Sequence, residues 1–168
     1  MREVRCKLKY LKVLVCALAW LMQPTLSAAA APEVIEIHDL EADARTAGAR
    51  SLPILLAFTS STCGYCGQLE EWFLKPMLIS GDYDDKVLIR KVRIDNDGVL
   101  VDFDGGRIDG GRLASRYQVT VVPTVLFLDP QGRELTDRMV GINTLEFYGG
   151  YLDQNIDTAL SRVRGEVP

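Results

Sequence analysis

Cys63 and Cys66 enclose Gly64 and Tyr65 in a C-x-x-C, and the pair directly follows an apolar run, Pro53 to Phe58 (PILLAF). A cysteine at the start of a helix meets unpaired backbone N–H groups and the positive end of the helix dipole, and both favour a thiolate. A second cysteine one turn later is near enough to close a small disulfide ring. Gly64 lets the backbone turn tightly, and Tyr65 is a bulky spacer that lies beside any chemistry done here. The chemistry this spacing supports is reversible dithiol–disulfide exchange. Two blander readings stand beside it. Half a zinc site would need partners, yet His38 is the only imidazole and no second cysteine pair follows. A purely structural disulfide would do little, because so short a ring hardly restricts the unfolded chain.

The elements that must position the pair follow from periodicity. Val34 to Ile37 reads as a short strand and Asp39 to Arg50 as a polar helix. The continuous run Pro53 to Phe58 predicts a central strand buried on both faces. From Cys63 to Leu74, the residues Leu69, Trp72 and Phe73 recur at helical spacing, and Pro76 bends or ends that helix. Lys86 to Ile94 reads as a strand, Asp95 to Gly111 as a long acidic loop with five glycines, and Arg112 to Tyr117 as a short helix. Thr120 to Asp129 is a strand carrying a proline, and Asp129-Pro130-Gln131-Gly132 turns it into a hairpin partner reaching Val140. Asn143 and Glu146 have the spacing of a helix cap and its return partner. A last helix then carries the stripe Leu145, Tyr148, Leu152, Ile156, Leu160 and Val163. The order predicts an α/β fold with a mixed central sheet and helices on both faces.

The N-terminus reads differently from the rest. Five bases (Arg2, Arg5, Lys7, Lys9, Lys12) precede an apolar run, Val13 to Met22, and then the small residues Ser27 to Ala31. That is the pattern of a secretory signal peptide over residues 1–30, too short in its apolar part for a membrane span. The domain is then 31–168, with Cys6 and Cys16 lost to the signal and the C-x-x-C pair left in an oxidising, periplasmic compartment. Of 19 bases and 23 acids in the 168 residues, 14 and 22 lie beyond Ala31, a net charge of −8 that disfavours nucleic acid as a partner. One histidine leaves little room for a His-rich metal site, a Ser-His-Asp triad or the zinc deaminase signature.

A strand, a C-x-x-C helix and, some sixty residues later, an apolar-Pro-Thr strand (here Val122-Pro123-Thr124) resembles the thioredoxin-like family over roughly Val34 to Arg164. The segment Thr62-Cys63-Gly64-Tyr65-Cys66 is similar to periplasmic disulfide isomerases of the Dsb type. Val122 to Phe127 with Asp129 to Gly132 is closer to secreted thioredoxins, and overall the SoxW-like group of periplasmic thioredoxin-related proteins resembles it most. The resemblance implies a thioredoxin fold, a redox-active disulfide between Cys63 and Cys66, and Cys63 as attacking and Cys66 as resolving thiol. It also implies a cis Pro123 packed against the disulfide, and a Val122 backbone that pairs with an extended substrate, with Tyr65 alongside. Two positions depart from the family. Where thioredoxin carries a buried Asp on the central strand this chain has Ala57, and Thr62 stands where thioredoxin has Trp. Proton loss from Cys66 then falls to water, Glu70 or Glu71, although both acids read as a solvated pair on an exposed helix face.

His38 reads as a surface residue. Asp95, Asp97, Asp102 and Asp104 do not fit a calcium loop, because the fifth ligand position would be Val99 or Gly106. The sequence therefore predicts a monomeric periplasmic thiol–disulfide oxidoreductase with no cofactor and no metal. Its partners are protein or peptide disulfides and a membrane-embedded electron donor. Reduction is the expected direction, since Dsb-type isomerases carry a dimerisation domain for which 31–168 has no room. A disulfide oxidase or isomerase, or a non-catalytic binding module on the same scaffold, is the alternative.

Overall fold

The computed structural model describes residues 32–166, so the expected signal peptide lies outside the described residues. Helix α1 spans Leu40–Arg50 and starts at Asp39, whose carboxylate accepts the Ala42 N–H at 2.7 Å. Strand β1, Ile54–Thr59, follows and is buried at every position. Helix α2, Gly64–Leu69, a π-helical turn, Glu70–Leu74, and helix α3, Lys75–Ser80, run on without a break. Then come β2 (Leu88–Arg93), β3 (Val99–Val101), β4 (Arg107–Asp109), α4 (Gly110–Arg116), β5 (Thr124–Leu128), β6 (Met139–Val140) and α5 (Leu145–Arg164).

The main sheet has the order β2-β1-β5-β6, with β1 parallel to β2 and both later contacts antiparallel. Because side chains alternate along a strand, β1 feeds two cores. Leu55 and Ala57 pack with Leu69, Leu74, Met77, Tyr148, Leu152 and Ile156 under α2, α3 and α5. Ile54, Leu56 and Phe58 pack with Leu40, Ala47, Leu113 and Leu126 under α1 and α4. An apolar run with no polar alternation is what a strand covered on both faces requires.

Several expectations are corrected. Val34 to Ile37 forms no strand of its own. It lies beside β2 through a single bridge, Glu36 to Lys91, with the Ile37 N–H donating to the Lys91 carbonyl at 2.8 Å. The acidic loop contains the antiparallel ribbon β3–β4, pinned by Asp102, which is buried and ion-paired with Arg116. α4 starts two residues early, capped by Asp109 on the Arg112 N–H at 2.8 Å. β5 starts only after Pro123. Thr144, not Asn143, sits at the cap of α5, and Asn143 donates instead to the Val140 carbonyl.

Pro76 does not end its helix. The turn before it widens, and the Lys75 N–H reaches back five residues to the Glu70 carbonyl. Proline cannot donate and its ring crowds the carbonyl four residues earlier, so a widened turn relieves both. Burial along this segment falls at Cys66, Leu69, Leu74 and Met77. The spacing of 3, 5 and 3 carries one residue more than a regular helix, which turns Trp72 outward to 53% exposure rather than into the core.

Candidate active site

β1 delivers the chain to the reactive segment at the end of the most buried strand. The loop after it is tied down by Asp95 at the end of β2. One Asp95 oxygen accepts the Ser61 N–H (2.8 Å), the Ser61 hydroxyl (2.5 Å) and the Ser60 hydroxyl (3.1 Å). Those bonds hold the Asp95 carboxyl below its ordinary value, the Ser61 hydroxyl contributing most. The Ser60 carbonyl in turn accepts the Cys63 N–H at 3.2 Å.

Cys63 is the cap of α2, with extended backbone at φ −95° and ψ 106°, and its sulfur accepts the Cys66 N–H at 3.1 Å. Cys63 and Cys66 are joined as a disulfide, with Cα atoms 5.3 Å apart. Their environments differ. Cys63 is half-buried, whereas Cys66 keeps 2% of its surface. Tyr65, between them, is 62% exposed.

Across from the pair, the Val122–Pro123 peptide bond is cis and Pro123 is buried. The Val122 carbonyl oxygen lies 3.7 Å from Cys63 Sγ. The segment is anchored on both sides: the Thr124 hydroxyl donates to the Val121 carbonyl at 2.7 Å, and the Gly141 N–H to the Pro123 carbonyl at 2.8 Å. Among the described residues Val122 itself makes no backbone hydrogen bond. The fold thus brings Cys63, Cys66, Tyr65, Val122 and Pro123 to one edge. His38 is exposed and lies with Glu36, Asn96 and Val99 on the far side of β2.

The two acids beyond Cys66 part company. Glu71 is 59% exposed and pairs with Lys75 at 2.5 Å, while Lys75 also reaches Glu33 at 3.0 Å. Glu70 is 17% exposed, and its Oε2 lies 2.6 Å from Nζ of Lys91, itself 18% exposed. Lys91 stands on β2 in register with Ala57. The solvated-pair expectation fails for Glu70. No local pattern shows it, because its partner comes from a strand twenty-one residues away.

The sequence matches the family described as a thioredoxin-like domain over residues 40–155. No curated protein matches it. Among solved structures, thioredoxin from Malassezia sympodialis is 19% identical, over 79% of this chain and 98% of that one, at a TM-score of 0.52. Thioredoxin from Trypanosoma brucei brucei is 21% identical, over 77% and 93% respectively, at a TM-score of 0.50. Likeness at these identities is likeness of fold.

Proposed function

The chain belongs to the thioredoxin-like family, and from that premise we propose that it is a secreted, periplasmic thiol–disulfide oxidoreductase that works as a disulfide reductase. The observation that carries the reading is the unequal burial of the two cysteines: one sulfur within reach of a partner, the other 2% exposed behind it.

In the reduced protein the Cys63 thiolate attacks one sulfur of a substrate disulfide, and the other substrate sulfur leaves as a thiolate and takes a proton. Cys66 then attacks Cys63 Sγ, the mixed disulfide breaks, and the second substrate sulfur leaves. Two electrons pass from the enzyme dithiol to the substrate. The exchange runs between sulfurs and calls on no metal or organic cofactor. The unpaired Val122 backbone offers an N–H and a C=O to an extended substrate segment, by strand addition, with Tyr65 and Pro123 bounding the apolar rim.

The direction is supported by how modest the stabilisation of a Cys63 thiolate is beyond its place at the helix N-terminus. Its sulfur accepts one backbone N–H, at 3.1 Å, and no cationic side chain is among its partners in the described residues. A dithiol oxidises others strongly only when its reduced form is specially stabilised. A membrane-embedded dithiol donor would restore the reduced state. Insulin reduction, followed by precipitation of the freed chain, tests the reading with Cys63→Ser as control. Failure of the unmodified protein in that assay would assign the scaffold to binding alone. A reduction potential near ~−270 mV supports reduction, and one near ~−120 mV would make the protein an oxidase.

A further inference from the structure

Resolution of the mixed disulfide needs Cys66 as a thiolate, and a thiol with 2% of its surface exposed gives up its proton reluctantly to bulk water. β1 offers no base beside it: its residues on that face are Leu55 and Ala57, in the apolar cluster with Leu69, and Thr59, whose hydroxyl donates to the Val92 carbonyl. We propose that Glu70 takes the Cys66 proton during resolution and that Lys91 positions it.

Three observations carry this. Glu70 lies one helical turn beyond Cys66, its N–H donating to the Cys66 carbonyl, so the two side chains leave the helix on one face. Its carboxylate is withdrawn from solvent and drawn toward the sheet by Lys91, 2.6 Å away. Lys91 stands in register with Ala57, so the pair lies at the level of the strand position that carries only a methyl group. Glu71, by contrast, is turned outward to Lys75. The other charges around the pair are Glu36, bridged to Lys91 through the backbone and held by Arg93 and Asn96, and the Lys75 group with Glu33.

The Cys66 S–H proton passes to the Glu70 carboxylate, and the Cys66 thiolate forms the bond to Cys63 Sγ. The bond from Cys63 to the substrate sulfur breaks, and the departing thiolate takes a proton back, which returns Glu70 to its starting form.

The inference rests on the exchange reaction proposed above, and the test separates the two. Reduced protein is mixed with a symmetrical nitrothiobenzoate disulfide, whose thiol product is coloured. Attack by Cys63 releases one equivalent, and displacement by Cys66 releases the second. No release from the unmodified protein would overturn the exchange reading itself. Glu70→Gln should leave the first phase unchanged and slow the second by about 10²-fold near neutral pH, the low end for a placed general base. The deficit should close as pH rises, and Glu70→Asp should recover part of the rate. A second phase of unmodified rate and pH profile in Glu70→Gln overturns the inference. Should that variant fail to fold, Lys91→Gln decides: with the Glu70 carboxylate no longer held by its partner, the second phase should slow while the first keeps its rate, and a second phase of unmodified rate overturns the inference.

Discussion

A Cβ on Gly110 would lie 2.1 Å from the Arg93 carbonyl oxygen, so α4 crosses the end of β2 at a distance only a glycine permits. The contact is with backbone, which cannot swing aside. Gly110→Ala should lower stability by about 1–3 kcal/mol, as overpacking does, despite the gain in helix propensity. Gly150 in α5 is the counterexample, with nothing within 4 Å of its added Cβ. Gly150→Ala should raise stability by about 0.5–1 kcal/mol. Urea midpoints of the two variants, at unchanged m-value, should move in opposite directions.

The unequal burial of the cysteines predicts an order of modification. In the reduced protein iodoacetamide should label Cys63 first, and the preference should widen as pH falls toward neutrality, where thiolate content decides the rate. Peptide mapping after timed alkylation reads it. Equal labelling would contradict the geometry.

Asp95 should act as an acid-labile clasp on the reactive loop. Its carboxyl is held below the ordinary value by the Ser61 hydroxyl first and the Ser61 N–H next. A lowered folded pKa means that the contribution is complete above the unfolded value, ~3.9, and drains away as pH falls through the folded one. Protection of the Ser61 amide from hydrogen exchange, relative to the unfolded chain at the same pH, should hold from neutral pH to about pH 4 and fall below it. In Asp95→Asn the amide should exchange faster at every pH.

At the alkaline end three tyrosines set the limit. Burial pushes Tyr117 and Tyr148 up to about 12. The hydrogen bond to Asp153 does the same for Tyr83, also to about 12. Raised folded values give stability that is whole below the unfolded value, ~10, and is lost as pH climbs toward the folded ones. Unfolding midpoints should therefore decline from about pH 10 upward. Asp153→Asn should bring Tyr83 ionisation to lower pH in a spectrophotometric titration and leave Tyr117 and Tyr148 in place.

Legibility in the sequence followed the range of the interactions. β1 declared itself because burial on both faces needs an unbroken apolar run, and the C-x-x-C and Val122-Pro123-Thr124 segments are local patterns. The stripe of α5 was legible at Tyr148, Leu152 and Ile156 for the same reason. The ribbon β3–β4 was not, since strands of three residues among glycines and aspartates carry no period to detect. Gly110 looked like one more loop glycine, and only the crossing of α4 over β2 gives it a purpose. Glu70 and Glu71 look alike in sequence, and a lysine on β2 tells them apart. Trp72, read on one helical period with Leu69 and Phe73, is exposed because that period runs through a turn that does not keep it.

The π-helical turn before Pro76 also fixes how many residues the chain can spend behind the cysteines. The buried positions before it, Cys66 and Leu69, and those after it, Leu74 and Met77, are out of step by one residue. Removing one residue between 70 and 73 would restore a 3-4-3 rhythm, but it would also set Pro76 inside an ordinary α-helix, where its ring meets the carbonyl four residues earlier. An insertion of the same size would swing one half of the buried face by about 100°. Between Leu69 and Leu74, the segment behind the cysteines is thus fixed in length from both sides, by Pro76 against a deletion and by the buried face against an insertion.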